Sequence, residues 1–172
     1  MTTLFSGLLN VQYGQFYLEA GTRFDGDMAR CFKGQRNGLM GARVPGFLFA
    51  TTGLHTGIVG VTVLLEEAEP PVDDSWDEIV EISLQASGRE VALLEWASDE
   101  PVPLAVMAGP YRVRYSARAM DEAAEADTNE GPDPIDTYQI ALWPAAPARD
   151  RVIKQTSETA QYWHDWVRGL GS

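Results

Sequence analysis

Carboxylates dominate the residues of this sequence that could do chemistry, and they are concentrated in residues 66–81 and 121–136. The first stretch holds eight and the second seven of the 25 Asp and Glu residues, and neither contains Lys or Arg. Mutual repulsion disfavours such clustering in an isolated protein, and a cationic partner would relieve it. We therefore expect both stretches to bind a basic protein partner. The expected contact residues are Asp73, Asp74, Asp77, Asp121, Glu122, Glu125 and Asp127.

The net charge of −12 also limits the kinds of partner. Direct binding of nucleic acid is not expected, because neutralising phosphates needs a basic surface. For each stretch taken alone, a solvated acidic surface that keeps the protein soluble is the competing explanation. The oligomeric state stays open at this stage.

Other reactive side chains do not form a recognisable catalytic or metal-binding pattern. The spacing of His55 and His164 does not pair them, and no local signature marks Cys31 as a nucleophile. Residues 127–133 resemble part of a calcium loop, but the glycine comes one place early and Tyr138 stands where an EF-hand needs Glu. The sequence therefore predicts no cofactor and no resident metal, with a weak cation site at residues 127–133 as the alternative. It favours a binding protein over an enzyme.

The alternative function is a small-ligand-binding protein or an enzyme with an aromatic-lined pocket. Its walls would come from Trp and Tyr side chains, and its polar groups from His55 or from the pair Arg112 and Arg114. Salt separates the two functions. Binding through acidic loops should weaken steeply as salt is added, whereas an apolar pocket should be insensitive to salt.

Alternating apolar and polar residues predict the element that carries the second acidic stretch. Tyr111–Arg118 and Thr137–Trp143 each alternate with period two, which is typical of half-buried strands. In the first of these, Arg112 and Arg114 fall on the side opposite the apolar residues. We expect two adjacent antiparallel strands joined by a long acidic loop.

Short alternating segments and frequent turn residues recur along the rest of the chain. The sequence predicts further strands at 8–18, 47–50, 58–66, 76–86 and 90–96, with turns at Asn37-Gly38 and Ser87-Gly88. The expected fold is mostly β. It is a single-domain antiparallel β-sandwich over residues 1–172 with one C-terminal α-helix.

The C-terminal helix is expected over about residues 157–169. Ser157 is a suitable N-cap, and apolar residues then recur at helical spacing. The spacing predicts that Trp163 and Val167 face the sheet, and that His164, Asp165 and Arg168 face water.

The expected compartment is the cytoplasm. A single Cys cannot form an internal disulfide, and residues 1–5 lack the features of a signal peptide. No apolar run approaches the length of a membrane span. Arg outnumbers Lys by 11 to 2, which favours a bacterial source with a GC-rich genome.

Three short motifs resemble those of the competence protein J family. They are Tyr13-x-Gln15-Phe16, Gly109-x-Tyr111, and an acidic loop that leads to Asp136-x-Tyr138-x-Ile140. The resemblance covers about a third of the chain. It implies an inhibitor or immunity protein that masks a basic partner such as a nuclease or toxin. This agrees with the charge argument, since an acidic surface can compete for the basic groove where a nuclease holds DNA.

Overall fold

Two β-sheets face each other across the main hydrophobic core. The computed structural model describes residues 1–87 and 91–171, and within them it has twelve strands and three helices. The strands are β1 (Thr2–Val11), β2 (Gln15–Glu19), β3 (Met40–Gly41), β4 (Phe47–Thr51), β5 (Thr56–Leu65), β6 (Glu78–Ala86), β7 (Val91–Glu95), β8 (Val102–Leu104), β9 (Gly109–Arg118), β10 (Thr128–Asn129), β11 (Thr137–Pro144) and β12 (Arg151–Lys154). The helices are α1 (Met28–Phe32), α2 (Met120–Ala126) and α3 (Glu158–Gly169).

The larger sheet has seven strands in the order β1-β5-β11-β9-β6-β12, with β10 paired to β5. Most neighbours in both sheets are antiparallel, so the prediction of a mostly antiparallel, two-sheet fold with a C-terminal helix is confirmed. Strand β5 is the exception, because β10 and β11 both run parallel to it. The sequence did not predict these parallel pairs. Parallel strands are joined by a long connection, so no tight turn between them marks the pairing in the sequence.

The two strands predicted around the second acidic stretch are β9 and β11, and they are adjacent and antiparallel as expected. Tyr115 lies opposite Ile140, and the register runs from Thr137–Arg118 to Pro144–Tyr111. The connection between them is more regular than predicted, because it contains α2 and the short strand β10.

The smaller sheet has the strand order β3-β4-β2-β7-β8, and it corrects one predicted strand. The predicted strand at 8–18 is two strands in different sheets. The chain leaves β1 after Val11, turns at Tyr13 and Gly14 with φ values of 58° and 60°, and enters β2 at Gln15. The apolar residues on both sides of this stretch therefore reflect a crossing between sheets.

An aromatic cluster joins the sheets at the centre of the core. The rings of Tyr115 and Tyr138 are stacked with centroids 5.5 Å apart, and Phe16 packs against both at 6.3 and 6.2 Å. Burial raises the pKa of both tyrosines well above the ordinary value. Both hydroxyls are therefore neutral groups that must find hydrogen-bond partners inside the protein.

Those partners are the last residue of β4, the connection that follows it, and Asp136 just before β11. The Tyr115 hydroxyl donates to the carbonyl of Thr51 at 3.0 Å, and the Tyr138 hydroxyl donates to the carboxylate of Asp136. The same carboxylate accepts from the amide of Leu54 at 3.1 Å, and the amide of Gly53 donates to the Tyr138 oxygen at 2.7 Å. Burial raises the pKa of Asp136, and these hydrogen bonds offset part of the rise.

A second apolar cluster covers the opposite face of the smaller sheet. Tyr17 follows Phe16 in β2 and points away from the main core, where it packs with Phe47 and Phe49. Phe32 of α1 and Val167 of α3 complete the cluster. The two helices therefore shield a face that would otherwise expose large aromatic side chains.

Helix α3 begins and ends close to the predicted bounds. The Ser157 hydroxyl accepts from the amide of Ala160 at 3.0 Å, which is the expected N-cap. Val167 is buried as predicted, and Trp163 is half-buried against the main core. The predicted exposure of His164 is wrong, because this residue is only 1% exposed. Its Nδ1 accepts a hydrogen bond from the amide of Gly38 at 2.9 Å.

The close approach of α3 also explains why the predicted hairpin turn at Asn37-Gly38 is wrong. A Cβ on Gly38 would clash with the backbone of Trp163, so glycine permits direct contact between the segment and the helix. Asn37 is fully buried, and its Oδ1 accepts from the amides of Leu39 and Met40 at 3.1 and 2.8 Å. The pair is therefore an internal packing element.

Two sequence predictions fall on positions outside the described residues. These are the turn residue Gly88 and the strand residue Glu90, and β7 is described from Val91 onward. Among the described residues, no helix has both the length and the apolar character needed to cross a membrane.

Acid should destabilise the protein through His164. Burial, with a smaller effect of the Arg168 charge, lowers the pKa of His164 to about 4. An unfolded His has a pKa of about 6.5. Between these values the unfolded chain binds more protons, so the free energy of unfolding falls as the pH falls. We expect His164 to contribute about 2 kcal/mol to the loss between about pH 7 and 4.5.

Urea unfolding of wild-type protein and of His164→Asn at the two pH values would measure this contribution. Asn can accept from Gly38 but does not titrate, so the variant should lose less stability in acid. Equal losses in the two proteins would contradict the prediction.

Candidate functional site

The structure brings the later part of the first acidic stretch close to the start of the second, at one end of the larger sheet. Strand β6, whose first residues end the first stretch, begins beside the end of β9, which precedes the second. The carboxylate of Asp77 accepts from the amide of Ala119, two residues before the second stretch, at 3.0 Å. The sequence could not show whether the stretches share one end. In the structure they meet there only in part, because Glu66, where the first stretch begins, lies near Leu142, toward the opposite end of β11.

One carboxylate of the first stretch, that of Glu81, is buried and paired inside the protein. Glu81 is 1% exposed, and its Oε1 accepts from Nε and Nη2 of Arg114 at 3.0 and 2.9 Å. Its Oε2 accepts from Nε of Arg151 at 2.8 Å, and Nη2 of Arg112 lies 3.5 Å from it. Burial alone would raise the pKa of Glu81, but the hydrogen bonds and charges of Arg114 and Arg151 outweigh burial and hold the pKa below its ordinary value.

This network corrects the expectation for the two arginines of β9. Arg112 and Arg114 lie on the side of β9 opposite the core, yet they are buried, with 7% and 5% exposure. They neutralise Glu81 and donate to backbone carbonyls, including those of Ala148 and Pro70. They are therefore structural residues and do not serve a ligand pocket.

Two further carboxylates hold the beginning of α3. Glu78 is fully buried and accepts from the amides of Thr156 and Ser157 at 2.9 and 2.6 Å. Asp121 accepts from the amides of Glu158 and Thr159 at 3.0 and 2.8 Å. Negative groups are favourable there, because the first amides of a helix have no intrahelical partner. Burial raises the pKa of Glu78.

Basic residues from other strands partly neutralise the first stretch. The guanidinium of Arg118 lies over the ring of Trp76 at 4.0 Å, and Nζ of Lys154 donates to the carbonyl of Asp74 at 2.7 Å. Asp73 closes a turn by accepting from the amide of Ser75 at 2.9 Å. The hydroxyl of Ser75, with a smaller effect of this amide, lowers the pKa of the Asp73 carboxyl. Asp73 and Asp74 are both exposed at the surface.

The second stretch keeps most of its charge free. Glu122, Glu125 and Asp127 are exposed on α2 and at its C-cap. Within the described part of the chain they take part in no ion pair. Asp127 has a φ of 63°, and its carbonyl accepts from the amides of His55 and Thr56 at 3.1 Å each. Of the seven predicted contact residues, these three and Asp74 have exposed carboxylates that form no ion pair or hydrogen bond within the described residues, since Lys154 contacts only the backbone carbonyl of Asp74.

An exposed aromatic surface lies next to Asp127. The ring of Tyr13, which is 61% exposed, meets the ring of His55 edge-on at 5.4 Å and the ring of Trp96 at 5.1 Å. We refer to Tyr13, His55 and Trp96 as the aromatic strip. Sequence reasoning missed it, because its residues come from three separate connections and no local pattern links them.

A groove of about 1210 Å³ continues from Trp96 over the smaller sheet. Its walls include Tyr17, Phe24, Trp96 and Met107, and its polar groups include Glu19 and Arg23. An aromatic-lined groove therefore exists, as the alternative function requires. The polar residues predicted for it, His55, Arg112 and Arg114, lie elsewhere, so a small-ligand function rests on the shape and lining of the groove alone.

The nucleophile considered in the sequence is not reactive. Cys31 is buried, and burial, with a smaller effect of nearby Asp25 and Asp27, raises the pKa of its thiol to about 12. A thiol must ionise to attack a substrate, so this one is inert at neutral pH. Within the described ranges, no group of three or more His, Cys, Asp or Glu side chains is arranged to hold a metal ion.

Comparison with known proteins identifies the fold. The chain matches no family model and no curated protein. Its structure is similar to that of ComJ from Bacillus subtilis, described as an inhibitor of the DNA degrading activity of NucA, with a TM-score of 0.57 and 14% sequence identity over 84% of this chain and 98% of ComJ. The two proteins share a fold.

A second similar structure is that of crocagin biosynthetic gene J. The TM-score is 0.53, with 15% identity over 82% of this chain and 96% of the other. The resemblance to the competence protein J family is thus confirmed at the level of the fold. The motifs that carried it contribute Phe16, Asp136 and Tyr138, which are all core residues here.

Removal of the buried carboxylate should severely destabilise the protein. Glu81→Ala would leave the buried Arg112 without a counter-charge and Arg114 with only the exposed Glu69 at 3.5 Å. Breaking such a network typically costs about 3–5 kcal/mol. Glu67→Ala removes an exposed carboxylate from the same stretch, and we expect a change within about 0.5 kcal/mol. Urea unfolding at neutral pH measures both. Similar midpoints for the two variants would show that the network contributes little.

Proposed function

We propose that this protein is a non-enzymatic inhibitor that masks a basic protein partner, such as a nuclease or toxin, with the free carboxylates of residues 121–136. The observation that supports this most is the set of Glu122, Glu125 and Asp127, which the fold exposes without neutralising them. The shared fold with ComJ, which inhibits a DNA-degrading activity, points to the same class of function.

The physical basis is competition for a cationic surface. A nuclease holds the DNA backbone with basic residues, and DNA presents a dense row of negative charges to them. Glu122 and Glu125 are three residues apart on α2, so they point to neighbouring positions on one face of the helix. A rigid acidic surface of this kind attracts a basic groove from a distance and then occupies it.

The seven predicted contact residues take different parts in this proposal. Glu122, Glu125 and Asp127 contact the partner. Asp77 and Asp121 hold the loop in place through the amides of Ala119 and of the first turn of α3. The remaining two, Asp73 and Asp74, form the flank of the surface.

The partner can be found and tested in two steps. Tagged protein captures binding proteins from a lysate of its source organism at about 50 mM salt, where exposed charges are weakly screened. The partner is identified by mass spectrometry, purified, and assayed for DNA degradation with increasing amounts of the inhibitor. We expect inhibition that saturates at a fixed ratio and weakens with salt. An acidic partner, or a partner whose activity is unchanged, would overturn the proposal.

Charge variants locate the surface on the captured partner. Glu122→Gln combined with Glu125→Gln should weaken binding at least about tenfold, or roughly 1.4 kcal/mol. Asp25→Asn combined with Asp165→Asn is the matched control, because it removes two exposed carboxylates elsewhere and changes the net charge equally. The control should lose less than about threefold. Equal losses in calorimetric titrations would mean that only net charge matters.

A further inference from the structure

We infer that the aromatic strip is the anchor of the partner interface, and that it receives an arginine-bearing loop of the basic partner. The identity of the partner rests on the proposed function. The affinity of the strip for arginine does not, and it can be measured without the partner.

The first reason is the exposure of large rings next to the free carboxylates. Tyr13 is 61% and Trp96 is 37% exposed, and His55 is exposed between Tyr13 and Asp127. Tyr and Trp are the residues that most often carry binding energy at protein interfaces. Their ring faces also attract cations, and Arg is the more frequent cation at such contacts.

The second reason is backbone strain at the strip. Four described residues other than glycine have positive φ, and three adjoin the strip: Tyr13 at 58°, Ala97 at 54° and Asp127 at 63°. Ala97 directly follows Trp96, and the carbonyl of Asp127 accepts from the amide of His55. This conformation is unfavourable for residues other than glycine, and strain of this kind concentrates at functional sites.

The third reason is that the strip is rigidly held. The amide of Gly14 donates to the carbonyl of His55, and the carbonyl of Gly14 accepts from the amide of Thr52, each at 2.9 Å. The carboxylate of Glu95, next to Trp96, accepts from the amide of Asn10 at 3.0 Å. Because these bonds fix the connections before binding, a partner would lose little free energy in ordering them.

Charge identifies the occupant. Residues 95–100 contain Glu95, Asp99 and Glu100 and no Lys or Arg, and Asp127 lies at the other end of the strip. Rings and carboxylates together fit a guanidinium, which can stack on a ring and donate to an oxygen at the same time. A Lys ammonium lacks the planar group for stacking.

Strand addition at the neighbouring sheet edge fits less well. The edge strand β8 contains Pro103, which has no N–H to donate to an added strand. A partner at this end of the protein is therefore expected to bind side chains instead of the strand backbone, and the aromatic strip provides such side chains.

A titration followed by nuclear magnetic resonance tests the inference on ¹⁵N-labelled protein. The probe is the peptide acetyl-Gly-Arg-Gly-Arg-Gly-amide, and its control replaces Arg with citrulline, which has a similar shape but no charge. We expect the arginine peptide to shift the indole N–H of Trp96 and the amides of Tyr13 and His55. The citrulline peptide should leave these signals in place.

Matched variants establish which ring is responsible. Tyr13→Ala should weaken peptide binding about threefold, as expected for the loss of an exposed cation–π contact. Tyr162→Ala should have no effect, although Tyr162 on α3 is equally exposed at 63%. Tyr13→Leu keeps apolar bulk without the ring and should behave like Tyr13→Ala, and the amide spectrum verifies that each variant is folded.

Two results would overturn the inference. One is equal binding of the citrulline peptide, and the other is a set of shifts confined to α2 that Tyr13→Ala does not change. A captured partner that is not basic would instead defeat the proposed function, while arginine binding at the strip would still stand.

Discussion

The connection between β4 and β5 is held from inside the core, and the arrangement of the surface depends on it. Tyr115, Asp136 and Tyr138 use their buried polar atoms to bind the backbone of residues 51–54. The connection then binds Gly14, where the chain crosses between sheets, and Asp127, where α2 ends. Leaving a buried polar group unpaired costs more free energy than a typical hydrogen bond contributes. These contacts therefore hold the connection in one conformation.

The internal use of carboxylates separates the acidic composition of the chain from its acidic surface. Glu78 and Glu81 lie in the acidic stretches but are buried and satisfied by amides or by arginines. Asp121 is engaged at the start of α3. The carboxylates that remain for a partner are a smaller set on α2 and at its C-cap. Asp127 lies beside His55 of the aromatic strip, so the surface offers rings as well as charge.

Local sequence patterns predicted the strands and the C-terminal helix. Burial and pairing of individual side chains depend on long-range contacts, which those patterns do not contain. Alternation located β9 and β11 because period two is a property of each strand alone. The burial of His164 depends on Gly38, which is 126 residues away. The pairing of Glu81 with arginines depends on the register of β6 against β9 and β12. The acidic stretches could be found from composition, but the residues left free in them, and the aromatic strip, depend on how distant connections meet.

The parallel pairing of β5 has a consequence for how the chain folds. Strand β5 lies between β1 and β11, and Gly60 pairs with Thr137, so the interior of the larger sheet closes only over a long loop. Contacts between such distant segments slow folding, typically to milliseconds or seconds. During synthesis on the ribosome we expect β1 and β5 to emerge and pair first, so that one edge of β5 is unpaired until β11 has been made. The acidic residues that follow β5 then repel other nascent chains from that open edge.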